Sequence, residues 1–171
     1  MSRLFRPAPR LWTRTRRHRY GSVDSLQEVL LPGPPPALAG LERAYFRWVP
    51  AVSADFAAPR WPEGPGGPLR IEVAPLGLAL IRMAAPREEP GRRARPVLGG
   101  LLGHAGGELC FELEPGPRGT LLRVVLRGFR PRMPAWLYWR TQRHLHERSS
   151  LAFLRQVARD RGARPWSHGA P

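Results

Sequence analysis

His146 and Ser150 are the polar side chains whose type and spacing could do chemistry, because they stand four residues apart in a stretch free of Pro and Gly. On a helix that spacing puts both on one face, which they share with Trp139, Phe153 and Val157, while Trp136 and Leu154 lie at its margin. An imidazole in the middle of an apolar stripe is costly to bury unpaired. It needs a hydrogen-bond partner, a wet cavity or a ligand. A satisfied core histidine is the plain reading, and ligand binding or acid–base work the sharper one. His144 points elsewhere, since a helical spacing of two cannot bring both imidazoles to one metal.

Other chemistry finds less support. The sequence has no HExxH pattern, no nucleotide-binding glycine loop with a lysine, and no Gly-x-Ser-x-Gly elbow. Glu72, Glu108, Glu112 and Glu114 are carboxylates that could pair, but the alternation around them assigns them to a solvated sheet face. Cys110 shares that face and has no activating neighbour in the sequence; as the single cysteine it forms no internal disulfide. Gly99-Gly100 and Gly106-Gly107 read as bulges or turns rather than a phosphate cradle. No catalytic residue, metal or cofactor is assigned, and a small cyclase or hydrolase using His146 would need a second polar group converging on it.

The elements that must position these residues follow from patterning. Pro134 suits a helix start and Gly162 a stop, which predicts one long helix from about Pro134 to Arg161. Arg140, His144, Arg148, Arg155 and Arg159 fall on the face opposite His146. The apolar face requires a sheet to lie on. Its clearest part is Glu108 to Phe129, where two alternating segments flank Pro115-Gly116-Pro117-Arg118-Gly119. Setting core against core pairs Leu113 with Leu122, Phe111 with Val124 and Leu109 with Leu126, which places Glu112 across from Arg123 and Glu108 across from Arg127. Further strands are expected over Ser25 to Leu31, Leu69 to Ala74, Leu78 to Ala84 and Val97 to Leu102. Ala37 to Val49 reads as a short helix closed by Pro50, and Asp55 to Pro68 and Arg87 to Arg95 as loops.

With 171 residues, 42% hydrophobic and 24% charged, the chain can build one domain with a real core. That domain is expected over residues 23–162, with a basic, disordered tail over 1–22 and a flexible one over 163–171. The net charge is +15 and the pI about 11.7, so anionic partners are plausible. All 28 basic residues are arginine, which suggests a GC-rich bacterial genome and says little about function. The N-terminal arginines, Arg14, Arg16 and Arg17 among them, stand as a solvated tail, a binding arm for nucleic acid or anionic lipid, or a mitochondrial-type presequence. With Arg127, Arg130, Arg132, Arg140, Arg143 and Arg148 they form the anion-binding alternative. The lone cysteine and the want of an apolar leader or membrane-length stretch point to a cytoplasmic protein.

A first strand, a short early helix, a series of antiparallel strands and a long last helix together resemble the START-like helix-grip superfamily, also called SRPBCC. The stretches Pro96 to Leu102, Gly107 to Phe111 and Gly128 to Pro131 are similar to poorly characterised bacterial members. The resemblance covers about Ser25 to Arg161 and implies an α+β fold, a curved antiparallel sheet gripping a C-terminal helix. It also implies a cavity between them for a small apolar molecule or lipid, here lined by Trp136, Trp139, His146, Ser150 and Phe153, with Gly99 and Gly100 giving close approach or curvature. The superfamily often has two early helices, whereas the pattern here marks one. No catalytic motif of the superfamily maps onto the chain.

Overall fold

The computed structural model describes residues 11–18, 21–64 and 66–162. Among them nine strands and four helices follow one another: β1 (Leu11–Arg17), β2 (Val23–Leu31), α1 (Leu38–Phe46), α2 (Trp48–Val52), β3 (Ala57–Arg60), β4 (Leu69–Val73), β5 (Leu78–Met83), β6 (Arg87–Glu89), β7 (Arg92–Gly99), β8 (Glu108–Gly116), β9 (Gly119–Phe129), α3 (Ala135–Arg140) and α4 (Gln142–Asp160). The strands form one antiparallel sheet in the order β1-β2-β9-β8-β7-β5-β4-β3, with β6 folded against β7.

The β8–β9 hairpin has the register its alternation dictates. Leu113 faces Leu122, Phe111 faces Val124, Leu109 faces Leu126, and the tight turn is Pro117-Arg118. Glu112 lies across from Arg123 and Glu108 from Arg127, but the ion pairs run diagonally, Arg127 to Glu112 at 2.6 Å and Arg123 to Glu114 at 2.7 Å. Burial of Leu109, Phe111, Leu122, Val124 and Leu126 sets this register; half-exposed charges contribute less than about 1 kcal/mol each. On the outer face, Cys110 is fully buried with Ala94 and Val125, and Arg92 reaches across it to Glu108 and Glu112. Burial and Glu108 push that thiol up to about 12, so it is not a reactive group.

Five expectations change. The N-terminal tail over 1–22 contains a strand: Thr13 and Thr15 of β1 face Gln27 and Ser25 of β2, and Thr15 Oγ1 donates to Glu147 of α4 at 2.6 Å. A seam of hydroxyl and amide bonds replaces the apolar signal that marks most strands. Residues 1–10, 19 and 20, and the C-terminal tail at 163–171, lie outside the described residues. The loop expected over Arg87 to Arg95 is a hairpin, β6 to β7, whose cross-strand pairs are Glu88 with Arg93 and Glu89 with Arg92. Its patterning is ionic, which hydropathy does not register. The connection over Asp55 to Pro68 contains β3, paired with β4.

The early helix is two helices. Pro50 does not close it but stands within the first turn of α2, where a missing N–H is tolerated. The long C-terminal helix is likewise interrupted, at Thr141, with φ −123° and ψ −79°. Thr141 Oγ1 donates to the Leu137 carbonyl at 2.7 Å, the back-bond by which a helical threonine competes with the backbone ladder. Because the break resets the 100° phase, Tyr138 of α3 is buried, while Trp139 is half-buried and Trp136 is 64% exposed.

One buried charge orients α1. Glu42 is 1% exposed and takes Arg95 of β7 on one carboxylate oxygen and Arg93 on the other, the latter at 2.6 Å; Arg95 also lies over the Trp61 ring. Removing one member of a buried pair leaves the other charged and desolvated. Glu42→Ala should therefore cost about 3–5 kcal/mol in urea unfolding, against less than about 1 kcal/mol for Glu114→Ala on the exposed face. Equal costs would remove Glu42 from this role.

Candidate functional site

Between α4 and the inner sheet face lies a cavity of about 140 Å³. The sheet contributes Ile71, Leu80, Met83, Val97, Leu109, Leu126 and Phe129; α1 and α2 add Tyr45, Phe46, Val49 and Val52. The break at Thr141 delivers Tyr138 from α3 and then lets α4 present Gln142, Leu145, His146 and Ser149. The wall is thus apolar over the sheet and polar along one strip of α4.

Tyr45 anchors that strip from below. Its ring meets Phe46, Phe111 and Phe153 edge to face, at centroid separations of 5.3, 5.3 and 5.4 Å. Its hydroxyl lies 3.4 Å from His146 Nδ1 and 3.3 Å from Ser150 Oγ. Burial pushes the Tyr45 phenol up to about 12 and holds the His146 imidazole down at about 4, against the opposing pull of Glu147. At neutral pH His146 is a neutral ring.

Two polar atoms of cavity-lining residues have no partner among the described residues: His146 Nε2 and Gln142 Oε1 are shielded from solvent and without a hydrogen bond there. Ser149 by contrast is satisfied within its own helix, donating to the Leu145 carbonyl at 2.8 Å. Buried polar atoms are nearly always paired, so two orphans on one cavity wall mark a place where a further group is wanted.

The sequence-based site is gathered only in part. His146 lines the cavity as expected. Ser150 and Phe153 lie behind it, Ser150 bonded to Tyr45 and Phe153 stacked in the core. Trp139 is turned aside onto Tyr138 and under the Arg143 guanidinium, 4.7 Å from its ring centroid, and Trp136 faces solvent. Gly99 and Gly100 do not line the cavity either. Gly100 lies against β5, where a Cβ would collide with the Leu80 carbonyl, and a Cβ on Gly99 would press on the backbone of Gly103 to Ala105. Tyr45, Tyr138 and Gln142 were not foreseen as liners. Gln142 had a signal, since it stands one turn before His146 on the same face.

Seven arginines of the anion-binding alternative are exposed: Arg14, Arg16 and Arg17 on β1, Arg130 and Arg132 between β9 and α3, Arg140 on α3 and Arg148 on α4. None of these seven forms an ion pair among the described residues, whereas Arg127 pairs with Glu112 at 2.6 Å and the half-buried Arg143 with Glu147 at 2.8 Å. Among the described residues no group of three or more His, Cys, Asp or Glu could hold a metal ion, and no helix is long and apolar enough to cross a membrane.

His146 gives a pH signature. The unfolded ring takes up its proton near pH 6.5 and the folded one near 4, so its contribution is present above pH 6.5 and is lost as pH falls toward 4. The loss approaches about 1.4 kcal/mol per pH unit within that window. Thermal midpoints of the native protein should fall more steeply from pH 6.5 to 4 than those of His146→Gln. Coincident profiles would show that the imidazole is solvated.

No protein-family model and no curated protein matches the sequence. Among solved structures, a protein of Thermus thermophilus is similar over 80% of this chain and 94% of its own, at 15% identity and a TM-score of 0.46. A polyketide cyclase-like protein of Corynebacterium glutamicum covers 80% and 90% at 14% identity and a TM-score of 0.37. CalU16 of Micromonospora echinospora covers 91% and 94% at 10% identity and a TM-score of 0.39. The fold assignment rests on the chain's own topology, a long strand followed by two short helices, an antiparallel run of strands, and a last helix laid across the inner face. That is the START-like, helix-grip α+β fold.

Proposed function

We propose that this protein binds one small, largely apolar molecule in the cavity between the sheet and α4. The observation that carries the reading is the cavity itself, apolar over the sheet and lined on α4 by His146 and Gln142, whose Nε2 and Oε1 have no partner among the described residues. Ligand sites have this composition, an apolar wall with a few placed polar atoms. Its volume of about 140 Å³ favours the smaller of the two expected ligand classes. An apolar cavity of about 150 Å³ accepts benzene. A single ring with short substituents therefore fits, and a whole acyl lipid does not. Binding is favoured over turnover because no carboxylate, thiol or metal-ligating cluster stands on the wall with His146.

Toluene or p-cresol should raise the thermal midpoint of the native protein in a concentration-dependent way and shift the amide signals of α4 in an NMR titration. Leu126→Phe, which projects a ring into the cavity, should abolish both effects while leaving the protein folded. If single-ring compounds neither stabilise the protein nor move its spectrum, the reading is wrong.

A second reading has its own observation. Trp12, Arg14 and Arg16 alternate along β1, so the edge strand presents exposed arginines and an exposed tryptophan together on its outer face. Arginine for phosphate and an aromatic ring for stacking are the parts of a surface for single-stranded nucleic acid. Binding of an oligonucleotide near 150 mM salt should then weaken at least tenfold in Arg14→Ala/Arg16→Ala. Weak binding indifferent to that double substitution would reduce the arginines to a solvated edge.

A further inference from the structure

Resting on the cavity reading, we infer that the ligand carries one neutral hydroxyl group, a phenol or single-ring alcohol held between Gln142 and His146. The described residues contain four buried side-chain polar atoms without a partner, and two of them, Gln142 Oε1 and His146 Nε2, belong to this one cavity. They stand four residues apart on α4, which puts both side chains on one face of the helix.

The donor and acceptor states of these two atoms define that group. An amide oxygen only accepts. The state of Nε2 follows from the chain of hydroxyls behind it. If Ser150 donates to the Tyr45 oxygen and Tyr45 donates to His146 Nδ1, every hydroxyl hydrogen is used and the neutral ring carries its hydrogen on Nε2. The reverse relay, from Nδ1–H to Tyr45 to Ser150, leaves the Ser150 hydrogen without an acceptor among the described residues. The first arrangement is therefore the satisfied one, and Nε2–H is a donor without a partner among the described residues, on a residue that lines the cavity.

A donor beside an acceptor is the complement of a hydroxyl, which donates to Oε1 and accepts from Nε2–H. A carboxylate would satisfy Nε2–H and set its own lone pairs against Oε1. An ammonium would do the reverse, and a ketone or ether would leave Oε1 orphaned. Both ions would also enter an apolar cavity without a counter-charge on its wall. The ring or short chain bearing the hydroxyl would rest against Leu80, Leu109 and Leu126.

The test compares p-cresol with toluene, which has the same ring and methyl group and no hydroxyl, by NMR titration of the native protein. The native protein should bind p-cresol at least about tenfold more tightly, because the hydroxyl satisfies two buried atoms that toluene leaves unpaired. Gln142→Leu should reduce that preference below about twofold, keep toluene binding, and raise the thermal midpoint of the free protein by removing an unpaired oxygen. His146→Leu should likewise reduce the preference and keep toluene binding, without the gain in thermal midpoint because it removes the partner of the buried Tyr45 hydroxyl; because the two substitutions are independent, a folding defect in one leaves the other decisive. Toluene binding as tight as p-cresol in the native protein would overturn the hydroxyl assignment and leave the cavity reading standing. Failure of both compounds to bind would remove the cavity reading and this inference with it.

Discussion

The position of Tyr45 is the constraint on which the interior depends. Its ring is the common neighbour of Phe111 on β8 and Phe153 on α4, and its hydroxyl is the contact that His146 and Ser150 share. Each edge-to-face pair is worth about 0.5–1.5 kcal/mol beyond the area it buries, so displacing Tyr45 would loosen α1, the sheet and α4 together. That position is set three residues earlier in the helix. Glu42 is held by Arg93 and Arg95 of β7, and because residues three apart share a helix face, the ion pair that fixes α1 also aims Tyr45 into the core. A salt bridge that gains little energy after desolvation can still specify orientation, and that is the role its placement supports here.

The cavity is a consequence of geometry rather than of missing residues. Irregular pairing between Ile71 and Glu72 and between Arg82 and Met83 bends the sheet near β5, and Gly100 lets the end of β7 approach β5 where a side chain would hold it off. Opposite that bend, Thr141 breaks the helix, so α3 covers Phe129 with Tyr138 while α4 runs on at a different phase. A concave sheet beneath an interrupted helix leaves room between them. The polar seam from Thr13 and Thr15 through Ser25 and Gln27 to Glu147 ties the far side of α4 to the sheet edge and keeps the helix from settling into that room.

What could be read from the sequence was what rests on strict alternation or unbroken periodicity. The β8–β9 register was legible because a one-residue slip would turn the core side chains of one strand to solvent, and the α4 face carrying His146, Ser150, Phe153 and Val157 was legible because nothing interrupts it. Trp136 and Trp139 misled for a definite reason. Extrapolating 100° per residue back through Thr141 assumes a continuous helix, and the back-bonded threonine invalidates it. Strands β1 and β6 were invisible to hydropathy since their partners are hydroxyls, amides and charges. Tyr45 was seen as an apolar helix position, but its role as the relay behind His146 needs the tertiary fold.

The charge pattern divides along the same lines. The glutamates on the outer face and at Glu42 are engaged by Arg92, Arg93, Arg95, Arg123 and Arg127, so these arginines belong to the fold, while those on β1 and the outer faces of α3 and α4 contribute to a basic surface. The central claim concerns the interior, and xenon tests it most directly, because it enters apolar cavities of this size without needing a polar partner. Crystals equilibrated under xenon pressure should show a bound atom between Leu126 and α4 in the native protein and none there in Leu126→Phe. A native interior in which that space is filled by side chains, with no xenon beneath α4, would contradict the account.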